Sequence, residues 1–302
     1  MELRVLKYFL AVVNAGTVTK AARVLHVTQP TLSRQLMDLE DELGQKLFVR
    51  SNHTITLTQE GILFRRRAEE IMEMVNKTEA EFHSMGASVT GDIYLGCGET
   101  NAMKLIAELF NDLHKEYPGV HFHMYSGNAE DVLDRLDKGT LDFGVIIQPV
   151  NITKYNSINL PYREVWGLAM RKDNPLAKNK FITKEDLARV PILCSRQLIK
   201  THDALNPYIQ WLGQDWNSIN VVATYNLIFN AALMVEAGLG CAVAIDKLIN
   251  TTSVSNLCFR PFKPKLESAL NVVWKKDQVF SSAAKLFIAK MQEKFTGQEK
   301  NL

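Results

Sequence analysis

"GTVTKAARVLHVTQPTLSRQLMDLEDELG", residues 16–44, sets two short helical patterns around a three-residue break, Leu25-His26-Val27. Thr17 is of the type that caps a helix, which predicts a short one through Leu25. Thr28 is a second cap, and Pro30 is tolerated in the turn it opens because the amide that proline lacks has no intrahelical partner there. Beyond it, Leu32, Leu36, Leu39 and Leu43 step by four, three and four, one stripe that predicts burial. The partner is upstream. Leu3, Leu6, Phe9, Leu10 and Val13 recur at helical spacing from Leu3 to Ala15, and Gly16 ends that helix.

The rest of the helix after Thr28 is polar, and its two ends differ. Near the amino end stand Gln29, Thr31, Ser33, Arg34 and Gln35, side chains that donate to phosphates and read base edges. Near the carboxyl end stand Asp38, Glu40, Asp41 and Glu42, which a phosphate backbone repels and which also oppose the helix dipole. Only the amino end suits DNA, which is the geometry of helix-turn-helix recognition in the major groove. An ordinary three-helix core with a polar face accounts for the same pattern.

The longer stretch "TKAARVLHVTQPTLSRQLMDLEDELGQKLFVRSNHTITLTQEG" resembles the DNA-binding segment of the LysR-type transcriptional regulators. The likeness runs through Ala21-Ala22, Gln29-Pro30, Ser33-Arg34, Leu39-Glu40, Leu43-Gly44, Leu47-Phe48, Arg50 and Thr56-Leu57-Thr58. It implies a winged helix-turn-helix with Leu47 to Arg50 and Thr54 to Thr58 as wing strands and Arg50 near the phosphate backbone. The expected DNA contacts are Thr28, Gln29, Pro30, Thr31, Ser33, Arg34, Gln35 and Arg50. Alternation in "HTITLT" supports a short strand independently.

A helical pattern from Gln59 to about Ala87 carries Phe64, Ala68, Ile71, Val75, Thr78, Phe82 and Met85 at alternating steps of four and three, a heptad seam. At ~1.5 Å per residue it is roughly 40 Å long, too long for one small domain to cover, so dimerisation through it is expected. A connecting helix packed on its own chain is the alternative. Arg65, Arg66 and Arg67 read as a solvated face.

The 302 residues suggest about two domains. Lys plus Arg number 35 against 33 Asp plus Glu, so any nucleic-acid surface is local and not a global field. Glu2 and Arg4 sit in an amphipathic pattern, and no apolar run approaches ~18 residues, so the expectation is a cytoplasmic protein with no membrane partner. Cys97, Cys194, Cys241 and Cys258 are far apart and form no Cys-x-x-Cys pair, which speaks against a zinc site or a disulfide framework.

After "SVTG" the pattern changes to strands alternating with helices: "GDIYLGC", Asn101 to Tyr117, "VHFHMY", Ala129 to Lys138, "LDFGVII". A second set has strands near Val165 to Met170, Ile192 to Cys194, Val221 to Thr224 and Cys241 to Ile245, then "ALNVVW" and a helix from Ser281 to Phe295. Such alternation predicts a parallel twisted sheet that binds ligands beyond the carboxyl ends of its strands. "LDKGTLDFGVI", "MRKDNPLA" and "MVEAGLGCAVA" extend the family resemblance, although Ile245-Asp246 replaces its usual Leu-Pro.

The resemblance implies an α/β protein with a helix-rich winged helix-turn-helix at 1–58, a dimerising linker helix at 59–90 and a two-lobed, periplasmic-binding-type effector domain at 91–302. Lobe I is expected at 91–161 and 265–302, with lobe II at 162–264. Its partners are double-stranded operator DNA, a small-molecule effector, a homodimer or homotetramer of itself, and RNA polymerase.

Helix starts at strand ends make anion-binding corners. The candidate effector residues are Gly98, Glu99, Thr100, Ser126, Gly127, Asn128, Ser195, Arg196 and Asn226, of types that also serve as plain caps. Glu99 is the unusual one, because a carboxylate repels an anionic ligand; facing a cleft, it favours an amine or hydroxyl, with Arg196 left for an acidic group. Cys97 and Cys194 fall at strand ends, where thiol sensing is a further reading. No Gly-x-Ser-x-Gly elbow, phosphate loop or metal-spaced histidine pair is present, so no catalytic residue, metal or cofactor is expected. His121 and His123 share one side of a strand, which is weak for a metal. A solute-binding protein without gene control and a small-molecule enzyme are the competing classes; residues 1–58 oppose the first and the missing catalytic constellation the second.

Overall fold

The computed structural model describes residues 1–50, 55–83, 89–196, 207–213 and 218–295. They form two compact units, Met1–His83 and Ser84–Leu302.

In the first unit α1 (Leu3–Ala15), α2 (Val18–Val24) and α3 (Gln29–Leu43) follow the expected bounds closely. Thr17 accepts from Lys20 N and Thr28 from Thr31 N, so both hydroxyls cap as their positions suggested. Gly16, with φ 70°, turns α1 into α2, and His26 takes the left-handed φ 52° in the break between α2 and α3. Strands β1 (Phe48–Arg50) and β2 (Ile55–Leu57) pair antiparallel as a wing, Arg50 opposite Ile55. Residue Thr54, expected in the second wing strand, lies outside the described residues. Phe9 is the hub: its ring lies 5.1 Å from Phe48 and 4.9 Å, edge-on, from Phe64.

Two expectations for α3 need correction. Leu32, Leu36 and Leu39 are buried, but Leu43 is 39% exposed, because the helix has run past the core by its last turn. Glu40 is not part of a solvated acidic end. It is 3% exposed, and its carboxylate accepts from the backbone N–H of Leu47 (2.9 Å) and Phe48 (3.2 Å) and from Lys46 Nζ (3.2 Å), fastening the wing to α3.

Helix α4 (Gln59–His83) is capped by Thr58, whose hydroxyl accepts from Gly61 N at 2.9 Å and donates to Lys46 O at 2.6 Å. Its seam divides. Phe64, Ala68 and Val75 pack into the core of their own unit together with Met72, so for this part the own-chain alternative holds. Ile71 (37%) and Phe82 (68%) are exposed, as are Ile62 and Leu63, and Met85 lies outside the described residues.

The second unit is built on a nine-stranded sheet among the described residues. Its strands are β3 (Gly91–Cys97), β4 (Val120–Ser126), β5 (Phe143–Ile147), β6 (Tyr155–Arg171), β7 (Ile192–Ser195), β8 (Val221–Tyr225), β9 (Cys241–Ile245), β10 (Leu257–Pro261) and β11 (Glu267–Lys275). Their order is β4-β3-β5-β11-β6-β9-β7-β8, with β10 on β6. The β4-β3-β5 and β9-β7-β8 sets are parallel, each with its own hydrophobic core, one around Phe143 and Phe287, the other around Leu168, Ile192 and Val243. Antiparallel β6 and β11 join them.

Strand β6 is far longer than the expected Val165 to Met170. Pro161 sits where the ladder to β11 is interrupted between the pairs Asn159–Asn271 and Arg163–Ala269, so its missing N–H costs no ladder bond. The helices are α5 (Met103–Glu116), α6 (Ala129–Asp137), α7 (Lys184–Leu187), α8 (Pro207–Leu212), α9 (Ile228–Glu236) and α10 (Ser282–Phe295).

Candidate functional site

The amino end of α3 offers the first candidate surface. Its stripe pins Leu32, Leu36 and Leu39 inward, which leaves Thr28, Gln29, Pro30, Thr31 and Arg34 exposed and Ser33 and Gln35 half-buried. The Thr28 and Thr31 hydroxyls are 2.8 Å apart, so the capping group is shared. Arg50 ends β1, on the strand that Glu40 anchors at Leu47 and Phe48. The exposed set is donor-rich at a helix amino end, where the dipole adds to attraction for phosphate.

The second candidate is a cavity of ≈ 480 Å³ in the other unit. Strand ends after β3, β4, β5, β7 and β8 converge on it. Of the expected effector residues, Gly98, Glu99, Asn128, Ser195 and Asn226 line it; Thr100, Ser126, Gly127 and Arg196 do not. Thr100 is 7% exposed and turns the other way, donating to the Glu164 carboxylate and accepting from Ala102 N at 3.0 Å. Gly127 gives its N–H to Cys97 O at 2.9 Å, while Ser126 and Arg196 are exposed.

Glu99 shows why its position looked unusual. Its Oε2 accepts from Ile228 N, so a side chain after β3 caps α9 on the far side of the cavity, where Leu227 provides no side-chain cap. Asn128 caps α6 by accepting from Asp131 N at 3.0 Å. Glu164, on β6, is buried beside the start of α5. Burial pushes its carboxyl above the ordinary range, against bonds from Thr100 and the backbone of Ala102 and Asn101.

Sequence reasoning missed Gln148, Pro149, Asn151, Trp166, Tyr225 and Ser268 in the cavity wall. Gln148 to Asn151 follow β5 and were within reach of the strand-end rule. Trp166, held by Nε1–H donating to Ser268 Oγ at 2.9 Å, comes from the crossing strand, which that rule does not see.

All four cysteines are buried. Burial, with the nearby Glu99 carboxylate, pushes the Cys97 thiol up to about 11, and burial alone takes Cys194 to about 11, the reverse of a reactive thiol. His121 and His123 do share a side: both face Asp92, at 3.7 and 3.1 Å, and His123 stacks on Tyr94. No helix among the described residues is long and apolar enough to cross a membrane.

Comparison with known proteins covers both domains. Residues 3–62 match the model of the bacterial regulatory helix-turn-helix protein, lysR family, and residues 86–296 that of the LysR substrate binding domain. The chain is 29% identical over 291 residues to the uncharacterised HTH-type transcriptional regulator YybE of Bacillus subtilis, covering 95% of this chain and 97% of that one. It is 28% identical to the Hca operon transcriptional activator HcaR of Escherichia coli, covering 97% and 98%. Among solved structures, full-length CbnR complexed with its target DNA superposes with a TM-score of 0.70 at 19% identity, over 97% of this chain and 99% of that one. Full-length OxyR of Pseudomonas aeruginosa gives 0.55 at 22%, again over 97% and 99%. The matched models and relatives are regulators, which sets aside both the enzyme and the free-standing solute-binding alternatives. The chain belongs to the LysR family of transcriptional regulators, with a helix-turn-helix DNA-binding domain and an α/β effector-binding domain.

Proposed function

We propose that Thr28, Gln29, Pro30, Thr31, Ser33, Arg34 and Gln35 enter the major groove of an operator, with Arg50 on the adjacent phosphate backbone, and that a small molecule in the ≈ 480 Å³ cavity controls the outcome. The observation that carries this is the exposed, donor-rich amino end of α3 above a buried leucine stripe. The effector contacts are Gly98, Glu99, Asn128, Ser195 and Asn226, joined by Gln148, Trp166 and Ser268. Thr100 supports the site from behind through Glu164, and Ser126, Gly127 and Arg196 lie outside it.

The protein acts in the cytoplasm as a dimer joined along residues 59–90, and as a tetramer through its effector domains 91–302, with RNA polymerase as its downstream partner. The effector acts by binding one arrangement of that assembly more tightly than the other, since a ligand with equal affinity shifts nothing. Gel shifts at fixed salt test the DNA half. Arg34→Ala weakens specific binding by about 1 to 3 kcal/mol and relaxes base preference, whereas Arg50→Ala weakens all sequences alike. Unchanged affinity in both variants sinks the assignment.

A further inference from the structure

Helices α5, α6 and α9 begin at the carboxyl ends of β3, β4 and β8, and each start is an anion-binding corner in principle. In this chain all three are already served from within. The start of α5 gives Thr100 and the backbone of Asn101 and Ala102 to Glu164. That of α6 is capped by Asn128 and carries Glu130 and Asp131 in its first turn. That of α9 is taken by Glu99 Oε2. Among these three described helix starts a carboxylate ligand finds no vacant corner, and it meets a side-chain carboxyl group at each.

The cavity wall has the opposite bias. Its charged side chains among the described residues are Glu99 and, at the exposed rim, Glu130. No lysine, arginine or histidine is among the described lining residues. A helix end supplies about half an elementary charge, so the Glu99 carboxylate is left roughly half uncompensated by α9. Its second oxygen, Oε1, makes no hydrogen bond to a described residue. Around it Ile147, Trp166, Ile245 and Leu266 make the wall largely apolar, and ≈ 480 Å³ falls within the ~300–1,000 Å³ of pockets for small organic ligands.

We propose that the effector is a compact organic ammonium ion with an apolar body, its N–H donors on Glu99 Oε1 and its body against Ile147, Trp166 and Leu266. This rests on the effector reading of the cavity given above and adds the charge of the ligand. The ammonium gains a charge-assisted bond, a neutral alcohol forfeits the charge, and an acid is repelled.

Titration calorimetry on the full-length protein at neutral pH, with 2-phenylethylammonium chloride, 2-phenylethanol and sodium phenylacetate as probes, tests it. The ammonium is expected to bind about tenfold or more tighter than the other two. Glu99→Gln keeps an acceptor for Ile228 N and should bring the ammonium down to the level of the alcohol. Ile147→Trp fills the cavity and should abolish ammonium binding. Tighter binding of phenylacetate or of the alcohol, lost in Ile147→Trp, overturns the ammonium and leaves the cavity as the effector site. Ammonium binding indifferent to Ile147→Trp overturns both. An ammonium preference that survives Glu99→Gln, or no heat from any probe, also overturns the proposal.

Discussion

Replacing Glu40 by Ala tests whether a buried carboxylate, more than the wing's own two strands, holds the wing against α3. The substitution removes the acceptor of Leu47 N and Phe48 N and the partner of Lys46 Nζ. Each backbone N–H left buried without an acceptor costs about 1 to 3 kcal/mol. Lys46 is 66% exposed, so its ion pair adds little. Partial entry of water into the space left by the side chain lowers the sum, and about 3 kcal/mol is the expected loss. For a unit of this size that is roughly 12–24 °C in the melting of the helix-turn-helix unit.

Far-UV circular dichroism against temperature reads the loss, and hydrogen exchange at the Leu47 and Phe48 amides localises it. Glu40→Gln, which keeps one acceptor oxygen, should fall between wild type and Ala. Asp41→Ala is the control: Asp41 is 77% exposed, 3.7 Å from the same lysine, and its loss should stay within about 0.5 kcal/mol. Because β1 carries Arg50, Glu40→Ala should also weaken DNA binding at temperatures where the rest of the protein is folded. If Glu40→Ala melts with wild type, or if Asp41→Ala costs as much, the clamp is not what positions the wing.

Three further outcomes follow from other parts of the molecule. Ile71 and Phe82 are eleven residues apart, about 20° from alignment on one helix face, and both are exposed; Ile71→Asp with Phe82→Asp should dissociate the dimer in sedimentation while leaving the fold, whereas Ala68→Asp, inside the unit's own core, should unfold it, and an unaltered assembly in the double variant moves the interface elsewhere. Glu164 is held above its ordinary pKa, so its contribution to stability is full below the ordinary carboxylate range and is lost as pH rises through the raised value; Glu164→Gln should flatten the stability profile in that window, and identical slopes contradict it. A Cβ on Gly61 would lie 2.1 Å from Leu47 O, so Gly61→Ala should cost roughly 1 to 3 kcal/mol in thermal or denaturant unfolding, and a neutral result means that the start of α4 does not press on the wing.

The helix-turn-helix was legible because its signals are local. Thr17, Gly16, Thr28 and Pro30 each act within a turn, and they bound α1, α2 and α3 to within a residue or two. Glu40 was not legible, since its partners are seven and eight residues on, across the turn into the wing, and composition alone places a glutamate in solvent. The same distance effect hid half of the linker seam. A heptad pattern states that a face is apolar without stating what covers it, and Phe64 finds Phe9 of its own unit. Strand β6 extends well before the expected Val165, through Pro161, whose tolerance depends on an irregularity in the register with β11 that no single strand reveals.

The candidate effector residues divide along a physical line. Placing candidates at strand ends found Gly98, Glu99, Asn128, Ser195 and Asn226 of the cavity wall because strand-end loops ring the open edge of the sheet. The same rule also collected Thr100, which faces away, because a helix start attracts hydroxyl and carboxylate side chains whether or not a ligand is near. Sequence spacing cannot separate these cases, since the acceptor for Thr100 is Glu164 on the crossing strand and the donor for Glu99 is Ile228 beyond the cavity. Those two long-range bonds decide the chemistry of the cleft. Each places one of the chain's own carboxylates at a helix start in the effector domain, and the position of Glu99 in the cavity wall turns a fold that offers anion corners into a cavity biased toward positive charge.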